Sequence, residues 1–222
     1  LLKEMTSFSG WSMVGNIALT GSNQGLSIIL NMFFGVAINA TMGIANQVNT
    51  AIYSFASNFQ MAFMPQITQS YAENDLNKHR NMLLQASKFS FFLLLIISVP
   101  ILVNTEYILT LWLKEFPPYS VQFTQLIIIF SLIDAMAGPF WMSANAIGNI
   151  KKYQLGIAFF LMLNLPLSYL LLHLGYPPTI VFTIKIILNL LTFLYRFIYV
   201  NIRIKFTNKD ILRFVKEIVL TL

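Results

Sequence analysis

The chain has 222 residues, of which 57% are hydrophobic and only 10% charged, with a formal net charge of +6. Soluble domains carry roughly 25% charged residues, so this chain has too few to cover a water-facing surface. It reads as an all-α integral membrane protein, which excludes disorder, a secreted disulfide scaffold and most soluble enzymes. It contains no cysteine, so thiol catalysis, thiolate metal sites and disulfides are absent.

The basic excess lies in short segments between apolar runs, a pattern of membrane orientation rather than of nucleic-acid binding. The opening Leu1-Leu2-Lys3-Glu4-Met5 has neither an initiator methionine nor a signal-peptide pattern. The expectation is a segment of a longer chain.

Six stretches are apolar enough for spans of about 20 residues. They run roughly over 11–34, 38–64, 82–103, 120–146, 153–174 and 179–202. The third, fifth and sixth are the clearest, and the first two are unusually polar. The joining segments differ sharply in charge. One side carries Lys3, Lys78, Arg80, Lys151, Lys152, Arg203, Lys205, Lys209, Arg213 and Lys216, while the other has Lys114 alone. The positive-inside rule then puts both termini in the cytoplasm, as an even number of spans requires. Lys88, just inside the third span, can snorkel to that surface.

Residues 106–114 are too short to span, and Tyr107 and Trp112 suit the outer interface. In the tail, Ile211, Phe214, Val215, Ile218, Val219 and Leu222 recur with helical spacing. Lys209, Asp210, Arg213, Lys216 and Glu217 point the other way. Residues 207–222 are expected to form an amphipathic helix on the cytoplasmic leaflet, with Asn208 as its N-cap. A helix docked on a further domain is the alternative.

Polar side chains at membrane depth are the informative feature. At about 100° per residue, Asn16, Thr20, Asn23, Ser27 and Asn31 share one face of the first span. Asn46, Asn49, Tyr53, Ser57 and Gln60 do so on the second, and Lys185, Asn189, Thr192 and Arg196 on the sixth. The fourth offers Asp134, Gly138 and Asn145, whereas the third has only scattered serines and is expected to face lipid on most sides. Lipid cannot satisfy amides or charges, so these stripes must face protein or water. Two readings stand: packing by interhelical hydrogen bonds, or a hydrated cavity enclosed by four helices. For the stripes taken together the cavity is the expectation.

Three ionisable residues lie within apolar spans. Counted from the outer surface at about 1.5 Å per residue, Asp134 lies roughly 21 Å deep, Arg196 roughly 25 Å and Lys185 roughly 9 Å. Depth favours an Asp134–Arg196 salt bridge and leaves Lys185 facing the cavity, where it can attract an anion. Snorkelling is the competing reading for Arg196 and Lys185.

Pro65 is read as closing the second span, while Pro100, Pro139 and Pro166 interrupt later ones. Gly21 and Gly25 make a small-xxx-small pattern that permits close helix approach. His79 and His173 fall in polar segments read as loops on opposite sides, and Glu73 and Asp75 in a solvated loop. No metal-ligand cluster, phosphate loop or nucleophile elbow is present, so neither an enzyme nor a cofactor is expected.

Asn46-Gln47-Val48-Asn49-Thr50-Ala51-Ile52-Tyr53-Ser54-Phe55, leading into Phe63-Met64-Pro65-Gln66-Ile67-Thr68-Gln69-Ser70-Tyr71-Ala72, resembles the second helix of the C-terminal lobe of bacterial polysaccharide flippases. These belong to the superfamily of multidrug and toxin extrusion exporters. Residues 107–113 and the run Ala144-Asn145-Ala146-Ile147-Gly148-Asn149 before Lys151-Lys152 are similar to further segments of that lobe.

The resemblance runs from about Phe8 to about Phe206. It implies one six-helix lobe of a two-lobed, alternating-access transporter in the bacterial inner membrane, paired with an N-terminal lobe of the same full-length chain. The cargo it implies is an oligosaccharide linked to a polyprenyl pyrophosphate, with membrane lipid as the other partner. A neutral amide-rich wall suits a sugar, and Lys185, with Arg196 as a second candidate, suits a pyrophosphate. A cation-coupled multidrug exporter is the alternative, because Asp134 is a cavity carboxylate. A non-transporting membrane subunit or truncated product is the second.

Overall fold

The computed structural model describes residues 2–219. Among the described residues there are seven α-helices and no strand: α1 (Leu2–Ala72), α2 (Leu76–Val103), α3 (Thr105–Leu113), α4 (Ser120–Ile147), α5 (Ile150–His173), α6 (Ile180–Ile204) and α7 (Asn208–Val219). Leu222, expected on the tail's apolar face, lies outside the described residues.

Five of these helices are long and apolar enough to cross a membrane, and α1 is long enough to do so twice. Its 71 residues would extend roughly 106 Å if straight, more than three times a bilayer core of about 30 Å. It breaks at Gly35, whose φ of 75° and ψ of −172° lie outside the helical region. Ser27 Oγ donates to Asn39 Oδ1 at 2.6 Å, although twelve residues of straight helix would separate them by about 18 Å. The chain therefore folds back on itself there, and the expected 35–37 turn is a single non-helical residue.

The N-terminal arm of α1 (2–34) packs on α5. Gly15, Gly21 and Gly25 give the close approach, facing Gln154, Met162 and Leu165, and Ser22 Oγ donates to Leu161 O at 2.8 Å. The C-terminal arm (36–72) packs on α2 and α4, where Ile52 and Ala56 meet Leu94, Ile128 and Ala135. α4 joins α6 through Phe123–Phe182 and Phe140–Phe193 ring contacts at 4.7 and 5.6 Å. Tyr195 Oη of α6 donates to Lys152 O of α5 at 2.7 Å. The ring of walls runs from the first arm through α5, α6 and α4 to the second arm.

Several local expectations are corrected. Pro65 does not close the second span; it sits at an exposed position inside α1, which continues to Ala72. Only residues 73–75 separate α1 from α2, because Asp75 caps α2 by accepting Lys78 N–H at 3.0 Å. His79 is therefore not in a loop but in the first turn of α2, fully buried. It lines up with Leu83, Ala86 and Ser90 on the packed face of that helix.

The network around His79 fixes its tautomer. Ile67 O, 3.0 Å from Nδ1, can only accept, so Nδ1 carries the proton; Nε2 then accepts from Ser143 Oγ at 2.9 Å. Ser70 Oγ lies 3.0 Å from Nδ1. One imidazole thus ties α1, α2 and α4 together.

The serines of α2 form a seam. Ser87, Ser90 and Ser98 are fully buried, and Ser87 Oγ donates to Met136 O at 2.7 Å. Ile96 and Val103 on its other faces remain exposed, so the helix is both packed and outward-facing. Small side chains at this spacing let α4 approach closely.

In the tail, Asn208 is the first helical residue and not the cap. Thr207 O accepts the N–H of Asp210 and Ile211, and Asp210 Oδ2 accepts Thr207 N–H at 3.1 Å, which is the returning half of a capping box. α7 seats Phe214 and Ile218 against Phe91 of α2. Glu217, expected on the solvent side, reaches back to Lys88 at 2.7 Å, while Leu212 and Val215 stay exposed.

Candidate functional site: a polar cavity within the lobe

Two apolar clusters bracket the space inside the ring. At the Gly35 end, Leu26, Leu30, Ile38 and Met42 pack with Phe123, Leu172 and Phe182. At the opposite, basic end, Leu83, Phe140, Tyr153, Val200 and Ile204 do the same. Between them lies a cavity of about 650 Å³. Its volume is within the range of ligand sites.

Most of the expected residues line it: Asn16, Asn23, Asn46, Asn49, Tyr53, Gln60, Lys185 and Asn189, with Asp134 and Arg196. Thr20 and Asn31 do not; both are exposed outside the wall. At about 100° per residue, Thr20 and Asn31 fall about 40° and 60° to one side of Asn16, whereas Gly15, Leu19 and Ser22, which line the cavity, fall on the other side. The stripe is offset from the cavity face, and only its near edge, Asn16 and Asn23, meets the cavity.

The wall residues are not equally free. Gln60 is buried and donates through Nε2 to Ala135 O at 2.9 Å. It rests where Gly138 leaves room, and a Cβ at that position would overlap the amide. Asn49 accepts from Ser131 Oγ, and Asn189 Nδ2 donates to Phe130 O at 3.1 Å. These three join helices as well as line the cavity, so packing and lining coexist. Asn16 is exposed and Asn46 half-buried.

α5 supplies a further wall that the four-helix expectation lacked: Tyr153, Gln154, Ile157, Phe160 and Asn164. Its signal in the sequence was Gln154 and Asn164, two buried amides in an otherwise apolar helix. They fall about 80° apart in projection but ten residues apart in sequence, with apolar residues between them, so no recurring polar stripe marks the face.

The charges separate by height. Lys185 Nζ lies 3.3 Å from Asn23 Oδ1, 4.7 Å from the Phe130 ring centroid and 6.0 Å from that of Phe182. An amide oxygen and two π faces hold the ammonium without a carboxylate in contact. Arg196 Nη1 lies 3.9 Å from Asp134 Oδ1, and the Tyr53 hydroxyl faces the same carboxylate. Lys185 and Arg196 are eleven residues apart, nearly on one face of α6 and about 16 Å apart along its axis.

The arrangement sets neutral amides and hydroxyls among apolar side chains such as Phe130, Trp141 and Phe160 around one cavity, with a cation toward each end. It offers a binding surface for a polar solute and no nucleophile–base pair for covalent chemistry. Among the described residues no cluster of His, Asp or Glu is placed to hold a metal ion. No curated protein matches the chain, and no solved structure does. A family model, MatE, matches residues 12–170, which takes in both arms of α1 and most of the cavity wall. That match covers more than two-thirds of a chain built of membrane-crossing helices, and the chain belongs to the MatE family of membrane transporters.

Proposed function

We propose that this chain forms the C-terminal lobe of a flippase that carries an oligosaccharide linked to a polyprenyl pyrophosphate across the bacterial inner membrane. The observation carrying this reading is the chemistry of the cavity wall. Neutral amides and hydroxyls from both arms of α1, from α5 and from α6 surround a space of about 650 Å³. They supply donors and acceptors to sugar hydroxyls without a charge to desolvate. Lys185, held by Asn23 and Phe130, is a cation available to a pyrophosphate. A second lobe of the same full-length chain closes the open side, and rocking of the two lobes exposes the cavity alternately. The excess of basic residues at one end favours both termini in the cytoplasm.

The exporter reading needs a carboxylate free to bind a coupling cation. Asp134, 3.9 Å from Arg196, is the carboxylate in the cavity wall, and the amides of the remaining wall favour the flippase.

The test is made in cells lacking the full-length gene. Lipid-linked oligosaccharide is expected to accumulate on the cytoplasmic leaflet and to clear when the intact gene is returned. Lys185→Ala, at normal protein level, is expected to leave most of it there. Clearance by Lys185→Ala equal to the parent ends the role of that lysine. No accumulation, together with altered dye or drug efflux, ends the flippase reading.

A further inference from the structure

Arg196 is held in an unusual way for a buried guanidinium. Its side chain is 15% exposed, and its one carboxylate contact, to Asp134, is 3.9 Å long. A charge-assisted hydrogen bond is roughly 2.7–2.9 Å. Its Nε is buried and has no hydrogen-bond partner. Tyr153 of α5, whose ring packs 5.2 Å from that of Tyr199 one turn along α6, lines the same cavity; it is fully buried, and its hydroxyl is also without a partner.

The neighbouring tyrosines are occupied. Tyr195 Oη donates to Lys152 O and Tyr199 Oη to Asn149 O, while Tyr53 faces Asp134. Arg196 and Tyr153 both line the cavity, against the apolar floor of Phe140, Ile157 and Val200. Two adjacent elements thus bring unspent donors to one point, with a loosely held carboxylate in front of them.

We propose that Arg196 and Tyr153 form an oxyanion subsite at the basic end of the cavity, selective for a phosphate or pyrophosphate group, with Asp134 as an exchangeable internal counter-ion. Nε and an Nη of the guanidinium offer parallel N–H donors to two oxygens of one phosphate, and the tyrosine O–H serves a third. As the anion enters, Asp134 swings away from Arg196 toward Tyr53, so the guanidinium never lacks a negative partner. Lys185 stands about 16 Å further along the same face of α6, too far to share one phosphate. The subsite is therefore a separate station from the lysine. The identity of the carrier, a polyprenyl lipid, rests on the flippase reading; the subsite rests on the geometry alone.

The experiment titrates inorganic pyrophosphate into the full-length protein in detergent micelles, followed by calorimetry, with a polyprenyl pyrophosphate in mixed micelles as the second arm. Saturable binding of inorganic pyrophosphate is expected. Tyr153→Phe, which keeps the ring packing, is expected to weaken it about 3- to 10-fold, the worth of one hydrogen bond. Asp134→Asn is expected to tighten it about 5-fold or more, because the competing carboxylate is gone. A purely structural ion pair predicts the opposite for Asp134→Asn: lower stability with affinity unchanged or reduced. No binding of pyrophosphate, or binding that Tyr153→Phe and Asp134→Asn leave alone, overturns the subsite, and so does binding of the lipid form that neither variant moves. Opposite shifts by the two variants support it even where cells show no lipid-linked oligosaccharide flipping, a result that sinks the flippase reading alone.

Discussion

Gly35 allows a clean separation of backbone strain from packing. Its φ of 75° and ψ of −172° fall in a region used almost only by glycine, where another residue costs of order 1–3 kcal/mol. A Cβ built there meets nothing within 4 Å, so Gly35→Ala introduces conformational strain and no clash. Gly43 is the matched control. It lies eight residues on, in the regular part of α1, and a Cβ there also meets nothing within 4 Å. Gly43→Ala is expected to stabilise by about 0.4–1 kcal/mol, since it restricts the unfolded chain and suits a helix. The two variants should therefore differ by roughly 1.5–4 kcal/mol, about 10-fold or more in the folding equilibrium. Reversible unfolding of the purified protein in mixed micelles reads both values. If Gly35→Ala is as stable as Gly43→Ala, the reversal of α1 does not depend on glycine geometry, and the account of the two arms fails.

The buried imidazole gives a second prediction. His79→Leu strands the Ser143 hydroxyl, while Ile67 O keeps Ser70 Oγ as a donor, and is expected to cost about 1–3 kcal/mol; His79→Gln, with a donor and an acceptor, should recover part of it in the same unfolding assay, and equal losses would argue against the network. Gly156→Ala places a Cβ on the Tyr195 ring, and is expected to break the bond from Tyr195 to Lys152 O at a cost of about 1–3 kcal/mol. Tyr195→Phe combined with Gly156→Ala should then add little, and full additivity would refute the shared contact.

For the tail, hydrogen bonds from Lys88 and then Arg213 hold the Glu217 carboxyl below the ordinary glutamate range. A carboxyl lowered in the folded state stabilises docking above its unfolded value and loses that contribution as pH falls through the lowered one. Proteolysis of α7 is expected to rise on acidification through and below the ordinary glutamate range, and Glu217→Gln to raise it already at neutral pH. A tail equally protected at both pH values would remove the ion pair from the docking.

The membrane class and the helix periods were legible because hydropathy and the 3.6-residue repeat are local properties. Twenty apolar residues can satisfy their backbone in lipid only as a helix, so the membrane-length helices followed from composition and spacing. The polar stripes of α1 and α6 were legible for the same reason. Asp134 and Arg196 were paired in the reading by depth alone, and they lie 3.9 Å apart.

What the tertiary structure decided was which part of each stripe meets the cavity. Thr20 and Asn31 share a face with Asn16 in projection, but neighbours, and not period, set the wall, and only the edge of the stripe at Asn16 and Asn23 meets the cavity. Gln60 was read as cavity-lining, and only contact with α4 reveals that its amide is also a packing bond to Ala135. His79 sits in a polar run that looks like a loop. Its burial depends on Ser143, 64 residues away, and no local pattern carries that information. Tyr153 is one of four aromatic residues of α5, and its unspent hydroxyl acquires meaning only beside Arg196. The chain's own chemistry thus determines that it crosses a membrane with polar faces turned inward, while long-range packing decides which donors are spent on holding helices together and which are left for a ligand.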